Sequence, residues 1–255
     1  MRNFFKFYIT FLSNFVSFMF DLFKKYQQEV KKDQELKLRI KTGAVFGFIF
    51  LVMLLSGGFL TNTMFVLMAV MVYNEFHNMA MVNKEKNPDL YKKHTVLAVV
   101  YSVIPFGCLC TINDHRFGYI LLFWYFCVIW ATDIGAYFAG RYFGGRKLAP
   151  SISPGKTVSG ALGGLSAAFI VGFILSFLRL NTQLSEMGIF ALGFLAIFIS
   201  ILAQASDILE SAIKRYFGVK DSGNILPGHG GFMDRMDSVT LSAPLLLLIT
   251  RYFVN

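Results

Sequence analysis

Long, unbroken apolar stretches, separated by short polar connections, form the hydrophobic pattern of this chain. About 20 mostly apolar residues suffice for a helix to cross a bilayer, and the pattern predicts eight such segments. They are Phe4–Phe23, Gly43–Ser56, Phe59–Met81, Thr95–Ile112, Phe117–Gly140, Gly160–Leu180, Gly188–Ala205 and Ser238–Val254. The Gly57-Gly58 pair predicts a tight turn between the second and third segments.

The apolar residues are continuous, whereas membrane β-strands would alternate over about 10 residues. Of the 255 residues, 55% are hydrophobic, which is more than one soluble core requires. We therefore expect an all-α, polytopic transmembrane helical bundle of about seven to eight membrane helices. The two weakest segments are Phe4–Phe23, which carries Lys6 and Asp21 and could instead lie in the membrane interface, and the short Gly43–Ser56.

Positive charge is distributed unevenly between the two predicted sides of the membrane. Nineteen of the 24 lysines and arginines lie in the connections 24–42, 83–94, 141–159 and 206–237, which fall on one side. Basic short loops mark the cytoplasmic side. The net charge of +9 is thus interpreted as a basic cytoplasmic face and not as a nucleic-acid-binding surface. The compact length favours a bacterial cytoplasmic (inner) membrane over an organelle.

Two units are predicted along the chain. Residues 1–38 form an N-terminal membrane-associated segment with a basic arm, and residues 39–255 form the transmembrane domain that holds the candidate catalytic residues. The arm either favours anionic lipid headgroups or serves only as a topology signal, and both interpretations stay open.

The first concentration of polar residues begins inside an apolar helix. Asp133, Tyr137 and Arg141 are spaced four apart and share one helix face, and an ionised carboxylate in a membrane helix is costly unless it is paired or binds a ligand. The following stretch Ser151–Thr157, with Lys156, offers hydroxyls, a cation and backbone amides to a phosphate. It is not a P-loop, because Pro150 occupies the position of the required glycine. A purely structural pair between Asp133 and Arg141 or a lysine is the alternative.

The second concentration of polar residues predicts a helix, a glycine-rich loop and a second helix. Asp207, Ser211 and Lys214 fall on one face of the first helix, and Asp234 and Asp237 share a face if the last helix has begun by then. Carboxylates among lysines and arginines suit a divalent cation that is bound together with substrate phosphates. The alternative is a set of surface ion pairs. His229 in the loop is either a backbone-bonding residue or a chemical participant.

The residues of this second region also carry a family resemblance. The pattern is Ser211-x-x-Lys214-Arg215, then Lys220-Asp221, then Leu226-Pro227-x-His229-Gly230-Gly231-x-x-Asp234-Arg235-x-Asp237, over 27 residues. It resembles the signature of phosphatidate cytidylyltransferases. The stretch Asp133–Thr157 and the pair Glu75-Phe76 are also similar to that family, and the similarity extends from about residue 39 to the C-terminus.

Three positions depart from the family pattern. Ser206 replaces a frequent glycine, Ser159 a common glutamate, and Gly155 a frequent lysine. These departures concern the detailed role of Ser151–Ser159.

The resemblance implies a reaction of CTP with phosphatidic acid that gives CDP-diacylglycerol and pyrophosphate, with Mg²⁺ as cofactor and a second cation as an open question. It implies a polar cavity that opens to the cytoplasm and to membrane lipids; a homodimer is one open assembly. The residues expected to act in catalysis are Asp207, Lys214, Lys220, Asp234 and Asp237, of which Asp207, Asp234 and Asp237 would hold the metal. The residues expected to bind substrate are Asp133, Lys156, Ser211, Arg215, Asp221, His229 and Arg235.

Three other functions remain as alternatives. A CTP-dependent lipid-alcohol kinase would transfer the γ-phosphoryl group and release CDP. A CDP-alcohol phosphatidyltransferase would require an Asp-Gly-x-x-Ala-Arg arrangement that this sequence lacks. A transporter would place ionisable groups at mid-membrane on several helices, whereas here Glu75 is the main exception to clustering at the cytoplasmic end.

Overall fold

The computed structural model describes residues 35–81, 88–177, 188–223, 225 and 230–254 of the chain. Helices dominate this part. The helices are α1 (Glu35–Ser56), α2 (Gly58–Met81), α3 (Pro88–Asn113), α4 (Gly118–Phe143), α5 (Val158–Phe177), α6 (Ile189–Tyr216), α7 (Met233–Met236) and α8 (Val239–Val254). The predicted all-α class is thus confirmed for the described residues, and the segment Phe4–Phe23 and the boundary at residue 38 stay predictions.

Five described helices are long and apolar enough to cross a membrane. They are α2, the part of α3 from Lys93 to Asn113, α4, α5 and α6. The apolar part of α1, Lys41–Ser56, is shorter, and α8 has 16 residues. The predicted count of seven to eight membrane helices is therefore not confirmed, although each predicted segment from Gly43 onward overlaps a helix.

The turn between α1 and α2 forms where the glycine pair predicts it. Gly57 has a φ of +63° and Gly58 a φ of +53°, a left-handed conformation that glycine adopts without steric cost. A Cβ at Gly57 would also approach the ring of Tyr119 to 3.2 Å. The two helices are consequently joined without a longer loop.

Small residues allow α4 and α5 to pack closely. A Cβ added at Gly135 would lie 2.5 Å from the Cβ of Ala167, and one added at Gly163 would lie 2.2 Å from the Cβ of Ala139. Close approach through small residues is a common means of helix association in membranes. The contact brings Gly160, at the start of α5, against Ala136 and Gly140 of α4.

The packed core lies among the long helices, and their outer surfaces are apolar. Phe65, Leu122 and Tyr125 are fully buried, and the Tyr125 hydroxyl shares a 2.6 Å hydrogen bond with Ser242, which joins α4 to α8. Large apolar side chains such as Phe48 and Phe198 are exposed on the outer surface, as expected where helices face lipid.

A small antiparallel hairpin follows α4, and the sequence did not predict it. Strand β1 (Lys147–Ala149) pairs with β2 (Ser153–Thr157), with Lys147 opposite Thr157. The Thr157 hydroxyl then accepts a 3.0 Å hydrogen bond from the amide of Gly160, an N-terminal cap that starts α5 directly after the strand. The hairpin therefore holds Lys156 at the end of the bundle next to α6.

Candidate active site

Helix α6 supplies the polar face of the site. Asp207, Glu210 and Lys214 are separated by three and four residues, so at 100° per residue their side chains leave the same side of the helix. Lys214 Nζ lies 2.8 Å from Glu210 Oε2. Glu210 is only 1% exposed, which means that this face is turned into the protein.

Three carboxylates converge between α6 and the beginning of α8. One oxygen from each of Asp207, Glu210 and Asp237 lies within 4.8 Å of the other two. The buried Glu210 Oε1 has no hydrogen-bond partner among the described residues, and an unsatisfied buried carboxylate oxygen costs free energy unless a ligand approaches it. The donor set is hard oxygen, which Mg²⁺ prefers. These residues thus fit a divalent cation.

The nearby acids affect the ionisation of Asp237. Burial raises the pKa of its carboxyl well above the ordinary range, and the negative charges of Asp207 and Asp133 act in the same direction. Asp237 Oδ1 accepts hydrogen bonds from the Ser238 amide at 2.7 Å and the Ser238 hydroxyl at 3.2 Å. A cation among the acids would relieve the repulsion that these groups impose on one another.

Asp234 lies outside this acidic group and has a different set of contacts. Its Oδ1 lies 2.5 Å from Lys214 Nζ, and its Oδ2 accepts hydrogen bonds from the amides of Ser222 at 3.1 Å and Gly231 at 2.9 Å. Burial would raise the pKa of Asp234, but the hydrogen bonds, chiefly that from Lys214, lower it overall. Asp234 thus ties the glycine-rich loop to α6, and its assignment as a metal ligand stays a prediction.

Glu75 holds the same loop from the opposite side. It is 2% exposed on α2 and accepts three hydrogen bonds of 2.8 Å, from the Ser222 hydroxyl and from the amides of Phe232 and Met233. These donors satisfy a carboxylate that would otherwise be costly in a membrane helix. A Cβ at Gly231 would lie 1.9 Å from Ser222 Oγ and 2.6 Å from Glu75 Oε2, so glycine is required where the loop passes this carboxylate.

The hairpin adds a cation to the site. Lys156 on β2 forms an ion pair with Asp207. Ser159, which stands where the resembled family commonly has glutamate, donates its hydroxyl hydrogen bond to the backbone oxygen of Gly144. A Cβ at Gly155 would meet nothing within 4 Å, so the glycine in place of the frequent lysine is not imposed by packing.

One open cavity of about 810 Å³ lies between α4, the hairpin, α5, α6 and α7. Its acidic lining residues are Asp133, Asp207, Asp234 and Asp237, and its basic ones are Arg141, Lys147, Lys156 and Arg235. Arg141 donates a 2.7 Å hydrogen bond to the Tyr137 hydroxyl; among the described residues it forms no ion pair with Asp133. A cavity of this size with both signs of charge can hold a metal and a polyphosphate together.

Other predicted site residues lie outside the cavity lining. They are Ser211, Lys214, Arg215, Lys220 and Asp221. Arg215 donates instead to the backbone oxygens of Val219 at 3.2 Å and Ile152 at 3.4 Å, which links the end of α6 to the hairpin turn. His229 lies outside the described residues.

Sequence reasoning missed Glu210 as a site residue. Its position, three residues after Asp207 and four before Lys214, puts it on the same helix face, so the signal was present. However, the spacing of four residues between Glu210 and Lys214 is equally typical of a simple ion pair, and the two side chains do form one.

Comparison with known proteins adds an independent finding. Residues 90–253 match the model of the family described as "Cytidylyltransferase family". The chain is 46% identical over 143 residues to a phosphatidate cytidylyltransferase of Brucella suis and 43% identical over 158 residues to one of Bacillus subtilis. The matched segments are 56% and 62% of this chain and 51% and 57% of those proteins, so the chain spans little more than half the length of these relatives. A Rickettsia bellii protein of the same name is 33% identical over 234 residues, 91% of this chain and 97% of that protein.

Proposed function

This chain belongs to the cytidylyltransferase family, and we propose that it transfers the cytidylyl group of CTP to phosphatidic acid, giving CDP-diacylglycerol and pyrophosphate. The observation that carries the proposal is the convergence of Asp207, Glu210 and Asp237 beside a cavity that two of these acids, Asp207 and Asp237, line together with Lys156 and Arg235. Its relatives from Brucella suis, Bacillus subtilis and Rickettsia bellii are named phosphatidate cytidylyltransferases.

The reaction is a displacement at phosphorus. A phosphate oxygen of phosphatidic acid forms a bond to the α-phosphorus of CTP, the bond from that phosphorus to the bridging oxygen of the β-phosphate breaks, and pyrophosphate leaves with the electron pair. The attacking phosphate is already anionic at neutral pH, so no strong base is required. The barrier lies in bringing two anions together and in the charge on the leaving group.

Asp207, Glu210 and Asp237 would hold Mg²⁺, which when bound neutralises phosphate oxygens and aligns the displacement. In this proposal Glu210 replaces Asp234 in the metal-binding set expected from the sequence. The reason is that the oxygens of Asp234 already contact Lys214 and the amides of Ser222 and Gly231. A second cation is a further part of the proposal, for which Asp133 lies on the same cavity.

The cavity's cations would bind the triphosphate. Lys156 and Arg235 line the cavity beside the acids, and positioned cations stabilise charge that develops on a phosphoryl leaving group. Lys214 acts differently, because its ammonium lies 2.8 Å from Glu210 and 2.5 Å from Asp234. It positions these two carboxylates, while direct substrate contacts by Lys220, Arg215, Ser211 and Asp221 stay predictions.

Location and partners complete the proposal. The connections that carry most of the basic residues would face the cytoplasm, which puts the cavity where CTP arrives, in a bacterial inner membrane that supplies phosphatidic acid. A homodimer is compatible with this arrangement.

The test uses purified protein with CTP labelled at the α-phosphorus, phosphatidic acid and Mg²⁺. Labelled lipid with one pyrophosphate per lipid is expected, and Asp237→Asn should abolish it while Lys41→Gln, an exposed position on α1, should not. CTP labelled at the γ-phosphorus separates the kinase alternative: label in the lipid with release of CDP would contradict the proposal.

A further inference from the structure

A second cavity, of about 740 Å³, lies between α3, α6 and α8, on the side of α6 away from the acids. On α6 it is lined by Leu209, Ala212, Ile213 and Tyr216, which at 100° per residue point opposite to Asp207. It shares no lining residue with the polar cavity. We call it the α3–α6 groove, and it is a separate feature of the molecule.

The groove has one polar end. Lys93 and His94 lie there, at the beginning of the membrane-spanning part of α3, next to Tyr216 at the end of α6. Lys93 is exposed, and His94 is 3% exposed with its ring edge against Phe217 at a centroid distance of 4.7 Å. The Nδ1 of His94 is buried and has no hydrogen-bond partner among the described residues. The residue lines the groove, and a buried polar atom without a partner calls for an explanation, such as a bound group that this side chain contacts.

The remainder of the groove is apolar and open to the outside of the bundle. Leu97, Val100 and Ile104 form its wall on α3, and each is about half exposed. From His94 to Pro105 the wall extends about 16 Å at a rise of 1.5 Å per residue. That is close to half of the roughly 30 Å hydrocarbon core of a bilayer, so the groove has the depth of one leaflet.

We propose that the α3–α6 groove binds one anionic, non-reacting phospholipid, with its phosphate at Lys93 and His94 and an acyl chain along α3. The cation selects an anionic headgroup at the membrane boundary, the unpartnered imidazole nitrogen meets the headgroup, and the apolar wall takes the chain. Because α6 separates this lipid from Asp207, it is not the lipid acceptor in the reaction proposed above. It would pack α3, α6 and α8 together on the side of α6 away from the acidic cluster.

Native mass spectrometry of the detergent-purified protein, titrated with phosphatidylglycerol or phosphatidylcholine, tests the proposal. The wild type should bind one phosphatidylglycerol at least tenfold more tightly than phosphatidylcholine. Val100→Trp fills the groove and should weaken phosphatidylglycerol binding at least tenfold. Val103→Trp, a matched change at a 55% exposed position of α3 that does not line the groove, should leave it unchanged.

Two further variants test the polar end. Lys93→Glu changes an exposed side chain and should remove the preference for the anionic lipid, and His94→Phe should weaken its binding several-fold while keeping the ring contacts. Equal effects of the two tryptophan variants would show that lipid binds non-specifically over the apolar surface, which would overturn the proposal. An unchanged preference for phosphatidylglycerol in both Lys93→Glu and His94→Phe would also overturn it. The measurement reads binding and not turnover, so its result is independent of the proposed cytidylyl transfer.

Discussion

Glu75 accepts a 2.8 Å hydrogen bond from the hydroxyl of Ser222, which lies 147 positions further along the chain. Two backbone amides, of Phe232 and Met233, donate to the same carboxylate. The membrane helix α2 thereby fixes both ends of the glycine-rich loop that leads to Asp234 and Asp237.

Glu75→Gln should therefore impair the site, although Glu75 does not line the polar cavity. All three contacts to Glu75 come from donors, so the amide nitrogen of glutamine would face one of them and leave it unpaired, at a cost of about 1–3 kcal/mol. We expect a lower thermal unfolding midpoint in detergent and a turnover number reduced at least tenfold.

The control for Glu75→Gln is Asn78→Ala, an exposed position on the same helix. It should leave both quantities close to wild type. Wild-type turnover in a Glu75→Gln protein would contradict the idea that this carboxylate positions the loop.

Gly231→Ala tests the same junction from the loop side. A Cβ would lie 1.9 Å from Ser222 Oγ and 2.6 Å from Glu75 Oε2, so the loop must move, and overpacking of this kind costs about 1–3 kcal/mol. The expected result is a lower unfolding midpoint together with loss of CDP-diacylglycerol formation.

Gly107→Ala on α3 is the matched glycine control, because nothing lies within 4 Å of its added Cβ. It should be neutral or slightly stabilising, since alanine favours a helix over glycine. If both alanine variants had the same unfolding midpoint and the same CDP-diacylglycerol formation, the close approach at Gly231 would not matter for activity.

The sequence predicted those features that depend on local spacing. The common face of Asp207 and Lys214 follows from helical periodicity, and the turn at Gly57-Gly58 follows from the freedom of glycine. The structure has both residues in the one continuous helix α6, and it has the turn. Spacing within one helix carries this information because side chains three, four or seven positions apart must leave the same side.

The features that were missed depend on distant contacts or on weak local signals. The bond from Ser222 to Glu75 joins elements far apart in the chain, and no periodic pattern encodes it. The strand Ser153–Thr157 contains proline and glycine, which are unfavourable in strands, so only its pairing with Lys147–Ala149 makes it one. The position of Lys214 between Glu210 and Asp234 also depends on tertiary packing, because Glu210 lies on α6 and Asp234 on α7.

Replacement of each acid separates these two roles. Glu210→Gln removes charge from the three-carboxylate group and should raise the Mg²⁺ concentration for half-maximal activity at least tenfold. Asp234→Asn keeps that group and weakens the contact with Lys214, so it should lower turnover with less than a threefold change in the Mg²⁺ requirement.

The measurement is a Mg²⁺ titration of labelled-lipid formation at saturating CTP, with thermal unfolding as the check on folding. The reverse pattern, in which only Asp234→Asn shifts the Mg²⁺ requirement, would return Asp234 to the metal site and exclude Glu210. Direct Mn²⁺ binding, measured by electron paramagnetic resonance, should follow the same order without depending on turnover.

Lys156→Gln tests whether the hairpin cation meets the nucleotide. Lys156 pairs with Asp207 and lines the polar cavity, and a charge-assisted hydrogen bond is worth about 1.5–3 kcal/mol. If the triphosphate takes over this contact on binding, the loss should appear mainly in the KM for CTP, as an increase of about tenfold or more, because 1.4 kcal/mol corresponds to a factor of ten.

The KM for phosphatidic acid should change much less, and Lys156→Arg should restore most of the CTP affinity because it keeps the charge. An effect of Lys156→Gln on the unfolding midpoint alone, with both KM values unchanged, would assign Lys156 to the ion pair with Asp207 and to no substrate contact.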